Sequence, residues 1–165
     1  MSVAADAQGS GPVREWVEKA GATFRTLVDS RNELGKAFGY RAIPVGILVD
    51  AGSNVLHVKL PFSVDEAEDV RAIEALVAGE SPVRDASKAL EADASASEVF
   101  ADGVDKLASG DREAALRRWR EALGMDPLNF VIRKQIWAVE NPDRFYPAID
   151  SAWQKDVMAR EKKDG

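Results

Sequence analysis

The first part of the chain alternates short apolar runs with a segment of helical periodicity. Residues 3–5 and 23–28 are apolar or alternating runs, and they predict two strands. Between them, apolar residues recur at helical spacing over residues 13–20, with Pro12 at the first turn and Gly21 at the end. The pattern therefore predicts a strand, a helix and a second strand.

A second helix is predicted directly after the strand over residues 23–28. Asp29 or Ser30 can cap its start, and Glu33 lies at capping-box spacing from Ser30. Gly39 ends the helix, because glycine adopts the left-handed conformation that often follows a helix.

A hairpin is the strongest local prediction. Residues 45–49 are a β-branched apolar run, residues 50–54 combine Asp, Gly, Ser and Asn, and residues 55–60 alternate as a returning strand. Pro44 precedes the first strand, where it removes no donor that the ladder needs. A third helix follows, with Ser63 and Glu66 at capping-box spacing.

The second half of the chain is helical in pattern throughout. Helices are predicted over residues 98–109, 112–123 and 130–140, and residues 141–147 bend the chain before Trp153 anchors the remainder.

The change of pattern divides the chain into two regions. Residues 1–80 are predicted to form an α/β domain and residues 98–165 a small all-α region. Residues 81–97 are rich in Ala, Ser and Asp with few large apolar side chains, which predicts a linker or loose helix.

Composition removes several classes of function. The net charge of −6 and the pI near 4.9 argue against nucleic acid or an anionic membrane as a partner. No signal peptide or membrane span is visible, so we expect a cytoplasmic protein. The chain contains no cysteine and one histidine, so we expect no thiolate chemistry and no cofactor.

Residues 42–52, Ala-Ile-Pro-Val-Gly-Ile-Leu-Val-Asp-Ala-Gly, resemble the signature of thioredoxin-like thiol–disulfide oxidoreductases and their peroxiredoxin relatives. In that family a cis-proline precedes a core strand that ends in an Asp-x-Gly or Asp-x-x-Gly hairpin. Residues 21–29 and 32–40 resemble the family's edge strand and the helix after it. The resemblance implies a thioredoxin-like sheet with flanking helices and a cis bond between Ile43 and Pro44.

The family's activity rests on a Cys-x-x-Cys pair or a peroxidatic cysteine, on a strand–helix unit that this chain lacks. Residues 2–6 resemble the strand after that unit, which leaves open whether Met1 is the true start. We expect a redox-inactive protein that acts as a protein-binding or assembly module, and no redox catalysis by the chain as written, which leaves open whether it is an enzyme. The alternative is a truncated oxidoreductase or peroxidase-like antioxidant protein whose cysteine unit is missing.

Residues 107–127 resemble one tetratricopeptide repeat. Gly110 and Asp111 match its inner turn, Ala115 and Trp119 its small and aromatic core positions, and the Asp-Pro at its end also fits. A single repeat cannot bury its own apolar face. We therefore expect it to pack on the first domain, on the third helix of this region or on a second chain.

Two groups of residues are candidates for partner binding. Ile43 and Pro44 match the family's substrate-facing position. The second group is a basic patch, which predicts either a solvated helix face or a groove for an acidic peptide. It comprises Arg117, Arg118, Arg120, Arg133 and Lys134.

The sequence also contains candidates for a catalytic base and a cation site. His57 could act as a base, but no nucleophile accompanies it at motif spacing. Asp6, Asp29 and Asp50 all follow predicted strands and could converge on a cation, although caps and turns explain each one separately.

The missing strand–helix unit leaves a slot in the centre of the predicted sheet. In the family, its strand separates the pair formed by residues 3–6 and 23–28 from the hairpin. Either residues 3–6 close directly on residues 45–49, or another polypeptide adds a strand. We expect the second solution, in a symmetric homodimer, because the helices on the sheet are spaced for five strands.

Overall fold

The computed structural model describes residues 1–80 and 92–164, with side chains as far as residue 161. Strands and helices are mixed, as expected of an α/β protein. The strands are β1 (Ser2–Ala4), β2 (Thr26–Val28), β3 (Gly46–Val49) and β4 (Val55–Lys59). The α-helices are α1 (Ser10–Lys19), α2 (Glu33–Phe38), α3 (Ala67–Val77), α4 (Ala94–Ala108), α5 (Arg112–Met125), α6 (Phe130–Glu140) and α7 (Ser151–Asp164).

The strands form two separate two-stranded sheets. Strands β1 and β2 are parallel, with Val3 opposite Leu27, and β3 and β4 are antiparallel, with Ile47 opposite Val58. These are the two pairs that the sequence predicts. Within residues 1–80 and 92–164, no strand joins β1 to β3, so direct closure of residues 3–6 on the hairpin does not occur there.

Of the two caps predicted for α2, Asp29 is confirmed and Ser30 is not. Helix α2 is capped by Asp29, whose carboxylate accepts from the backbone N–H groups of Glu33 and Leu34 at 2.8 Å each. This leaves no role for the predicted capping box at Ser30. Aspartate competes well here because its two oxygens satisfy two free N–H groups at once.

Helix α3 begins at Ala67, and Ser63 does not cap it. The Ser63 hydroxyl instead accepts from the backbone N–H of Asp65, inside the preceding turn. The Ser63 backbone N–H donates to the buried carboxylate of Asp69 at 2.8 Å. The connection to α3 is therefore fixed by a carboxylate within the helix.

Helix α4 begins at Ala94, four positions before the predicted start at residue 98. Asp93 caps it by accepting from the backbone N–H groups of Ser95 and Ala96. Ala96 and Ser97 are buried, so the small residues of this segment pack closely instead of forming a linker. The rest of the predicted linker, residues 81–91, lies outside the described residues.

The main core lies among α4, α5 and α6. Its largest side chains are Trp119, Phe100 and Ile132, all almost completely buried, and Ala7 from the start of the chain packs against the same cluster. Helices α4 and α5 thus cover their apolar face with α6 and with the region before α1.

A smaller cluster holds the end of the chain. Trp153 of α7 contacts the rings of Trp137 and Phe145 edge-on, with ring centroids 5.7 and 6.3 Å away. The predicted anchoring role of Trp153 is confirmed. A short 3-10 helix, Pro142–Arg144, connects α6 to this cluster.

Candidate functional site

Helix α6 joins the helical half of the molecule (residues 92–164) to the first half (residues 1–80). The carbonyl oxygen of Arg41 accepts from the backbone N–H groups of Phe130 and Val131, at 2.7 and 3.2 Å. These are free donors of the first turn of α6, which need a partner outside the helix. The Arg41 Nε also lies 2.7 Å from the buried carboxylate of Asp126. The start of α6 is therefore held by one residue of the first half.

Gln135 of α6 contacts the chain just beyond β1. Its Nε2 donates to the Ala5 carbonyl oxygen at 3.1 Å, and its Oε1 accepts from the Ala7 backbone N–H at 2.8 Å. Gln135 is buried. A single side-chain amide thus supplies the donor and the acceptor that a neighbouring strand would supply to residues two positions apart.

The edge at which Gln135 binds is the open edge of β1. The Ser2 backbone N–H donates to Arg25, and the Ala4 carbonyl oxygen accepts from Asp29, so the even-numbered residues of β1 face β2. Val3, Ala5 and Ala7 therefore face the opposite edge. This is the edge at which the resemblance places the missing strand. Gln135 occupies one end of this edge by bonding to Ala5 and Ala7. Val3 is not part of that contact.

A cavity of about 190 Å³ lies where α6 meets the first half. Large apolar side chains dominate its wall, and two side chains of opposite charge, Asp6 and Lys134, also line it. Its lining residues include Asp6, Trp16, Ile43, Phe130, Lys134 and Phe145.

Asp6 is held by two hydrogen bonds on one side of the cavity. Its Oδ1 accepts from the Gln8 backbone N–H at 2.9 Å, and its Oδ2 accepts from the Tyr146 hydroxyl at 3.2 Å. Burial raises the pKa of Asp6, although both hydrogen bonds oppose that change. Burial also raises the pKa of Tyr146, and the charge of Asp6 adds to this effect. Tyr146 therefore remains protonated at neutral pH and donates to the carboxylate.

The structure brings together only part of the predicted partner-binding set. Ile43 and Lys134 both line the cavity, and the Ile43–Pro44 bond is cis as predicted. The carbonyl oxygen of Pro44 accepts from the Phe62 backbone N–H at 3.1 Å, which closes the base of the hairpin. Arg117 and Arg120 lie on α5 and do not line the cavity.

The arginines of the basic patch have carboxylate partners. Arg120 pairs with Glu140, and Arg133 pairs with Glu161 while also donating to the Pro127 carbonyl oxygen at 2.8 Å. The other two follow the same pattern: Arg117 lies 3.9 Å from Glu113, and Arg118 lies 2.6 Å from Asp102. Lys134 differs, because it forms no ion pair with any residue in the described ranges.

The three aspartates that could have shared a cation are each held locally. Asp29 caps α2, Asp6 binds Tyr146, and Asp50 accepts from the backbone N–H groups of Gly52 and Asn54 at 2.8 Å each. In residues 1–80 and 92–164 no group of three or more histidine or acidic side chains is placed to hold a metal ion. The caps and turns therefore account for these carboxylates.

His57 is buried on β4, opposite Leu48. Neither ring nitrogen has a hydrogen-bond partner in the described part of the chain. On the same face of β4, Lys59 Nζ lies 2.6 Å from the buried carboxylate of Asp69. No hydroxyl group among the described residues bonds to His57.

Sequence reasoning missed Gln135 and the hydrogen bond between Tyr146 and Asp6. A signal for Gln135 was present, because it shares a helical face with Val131 and Ala138, and a polar residue on an apolar face needs a buried partner. Tyr146 gave no comparable signal, since its partner Asp6 is distant in sequence.

Comparison with family models, curated proteins and solved structures finds no match to this chain. No helix in the described ranges is long and apolar enough to cross a membrane.

Proposed function

We propose that this chain is a redox-inactive, thioredoxin-like protein that acts as a protein-binding or assembly module. The observation that supports the proposal is the open edge of β1. The backbone of Val3 faces that edge, the residue is 38% exposed, and the hairpin of β3 and β4 lies in a separate sheet. Unpaired strand edges are templates for the addition of another strand.

A second copy of the chain is the simplest partner for this edge. A twofold axis lets each copy offer its own open edge to the other, so one surface serves both subunits. The acidic chain favours a protein or peptide partner over nucleic acid or a membrane surface.

Size-exclusion chromatography with light scattering at micromolar concentration tests the proposal. We expect a dimer for the unmodified chain and a monomer for Val3→Pro, because proline removes the N–H group that faces the open edge. Val28→Pro is the matched control. The backbone N–H of residue 28 points away from β1, toward the opposite edge of the sheet, so this variant should remain a dimer. A compact monomeric unmodified chain would contradict assembly through this edge.

A further inference from the structure

The cavity between the two halves has a composition that strand pairing does not explain. Trp16, Ile43, Phe130 and Phe145 supply an apolar wall. Binding sites for small molecules are typically concave and mostly apolar, with a few polar groups that fix the orientation of the ligand. The cavity meets this description, and it lies at a junction between two regions of the chain.

The volume limits the ligand to a small molecule. A cavity of about 150 Å³ lined by apolar side chains holds a benzene molecule, and this one measures about 190 Å³. Aromatic side chains favour another ring through stacked or edge-on contacts. The space therefore suits one ring with a short polar extension.

The two charged groups have unused bonding capacity. An ionised carboxylate offers about four acceptor positions, and Asp6 uses two of them, for Gln8 and Tyr146. A lysine ammonium group has three donors, and Lys134 uses none of them within the described residues. A ligand that carries only a carboxylate would leave Asp6 facing a like charge, and a ligand that carries only an amine would leave Lys134 unpaired.

We propose that this cavity binds a free amino acid with an aromatic side chain. The ammonium group of the ligand bonds to Asp6, its carboxylate bonds to Lys134, and its ring lies among Trp16, Phe130 and Phe145. The cavity borders the end of the β1 edge that Gln135 occupies, but Val3 does not line it. The binding of an amino acid therefore does not require the dimer.

Isothermal titration calorimetry of the full chain with L-phenylalanine tests the proposal. Phenylacetate lacks the ammonium group, phenethylamine lacks the carboxylate, and glycine lacks the ring. We expect phenylacetate and phenethylamine to bind about tenfold or more weakly than L-phenylalanine, since a hydrogen bond to a charged group contributes about 1.5–3 kcal/mol. Glycine should also bind more weakly, because it has no ring to contact the apolar wall.

A substitution at Lys134 measures the contribution of its charge to binding. Lys134→Met keeps most of the side-chain length and should weaken L-phenylalanine by about tenfold while leaving phenethylamine unchanged. Lys155→Met on α7 is the matched control and should bind as the unmodified chain does, because Lys155 is exposed and does not line the cavity. Circular dichroism confirms that each variant is folded.

Three results would overturn the proposal. The first is no heat of binding for L-phenylalanine at millimolar concentration, and the second is phenylacetate binding as tightly as L-phenylalanine. The third is a folded Lys134→Met variant with unchanged affinity for L-phenylalanine.

Discussion

Trp119 binds Phe100 in two ways at once. The two rings stack with centroids 5.4 Å apart and an angle of 26° between their planes. The Trp119 indole N–H also donates to the Phe100 carbonyl oxygen at 3.0 Å. Because a buried indole needs a hydrogen-bond partner, this arrangement satisfies the polar atom and packs the ring in the same place. It fixes how α5 lies against α4.

Gly103 permits this contact, so we expect Gly103→Ala to destabilise the fold. A Cβ at position 103 would overlap the Trp119 indole ring and come within 3.1 Å of the Ala115 carbonyl oxygen. Overpacking of this kind costs about 1–3 kcal/mol of unfolding free energy. Urea denaturation measures it. Gly124→Ala is the control, because a Cβ there meets nothing within 4 Å and alanine favours the helix by up to about 1 kcal/mol. Equal midpoints for the two variants would contradict the prediction.

Replacing Gln135 with leucine should lower the free energy of unfolding by about 1–3 kcal/mol. The substitution leaves the Ala5 carbonyl oxygen and the Ala7 N–H without partners, and unpaired buried groups carry that cost. Gln154→Leu provides the comparison, since its amide nitrogen has no hydrogen-bond partner among the described residues and little should be lost. Chemical denaturation of both variants decides whether the Gln135 contact stabilises the fold.

The ion pair of Lys59 and Asp69 predicts a loss of stability in acid. The Lys59 hydrogen bond, with a further contribution from the Ser63 N–H, lowers the pKa of Asp69 in the folded state. The unfolded chain then binds a proton more readily, so this stabilisation is present above the ordinary aspartate pKa of about 3.9 and is lost as the pH falls through the folded pKa.

Thermal unfolding between neutral pH and about pH 3 measures this effect. In Asp69→Asn the melting temperature should be lower at neutral pH, and its decrease in acid should be smaller than in the unmodified chain. Asp65→Asn changes an exposed carboxylate in the turn before α3 and should leave the acid profile unchanged. Identical profiles for the unmodified chain and Asp69→Asn would show that another carboxylate controls the acid response.

The chain should catalyse no thiol-dependent reaction. The thiolate is the nucleophile in both disulfide exchange and peroxide reduction, and the sequence contains no cysteine. We expect insulin reduction and hydroperoxide consumption at buffer rates with any reductant, assayed beside a cysteine-containing thioredoxin as the positive control. Turnover that persists after contaminating redox proteins are removed would favour the alternative of an oxidoreductase over a binding module.

Local elements could be predicted from the sequence because their signals are local. The hairpin follows from a β-branched run and the turn at Asp50, whose carboxylate does bind Gly52 and Asn54. Helix α4 begins four residues before its predicted start. The reason is that Ala96 and Ser97 are small, and small residues are typical both of linkers and of closely packed helices. Sequence pattern alone cannot separate these two cases.

The cavity could not be predicted in this way. Ile43 and Lys134 were identified separately, from a family signature and from charge, and neither observation indicates that they share a cavity. Their meeting depends on contacts such as the bond between Gln135 and Ala5, which are 130 positions apart in the chain. Such a contact is decided by packing and has no local signal.

Noncovalent contacts of α6 and its neighbours hold the two halves of the chain together. Arg41 holds the start of α6, Gln135 holds its middle, and the Ala92 N–H donates to the Gly39 carbonyl oxygen at 2.9 Å. None of these bonds requires an unbroken chain between the two halves. We therefore expect fragment complementation, in which residues 1–80 and 81–165 are produced as separate polypeptides and recover the fold when they are mixed.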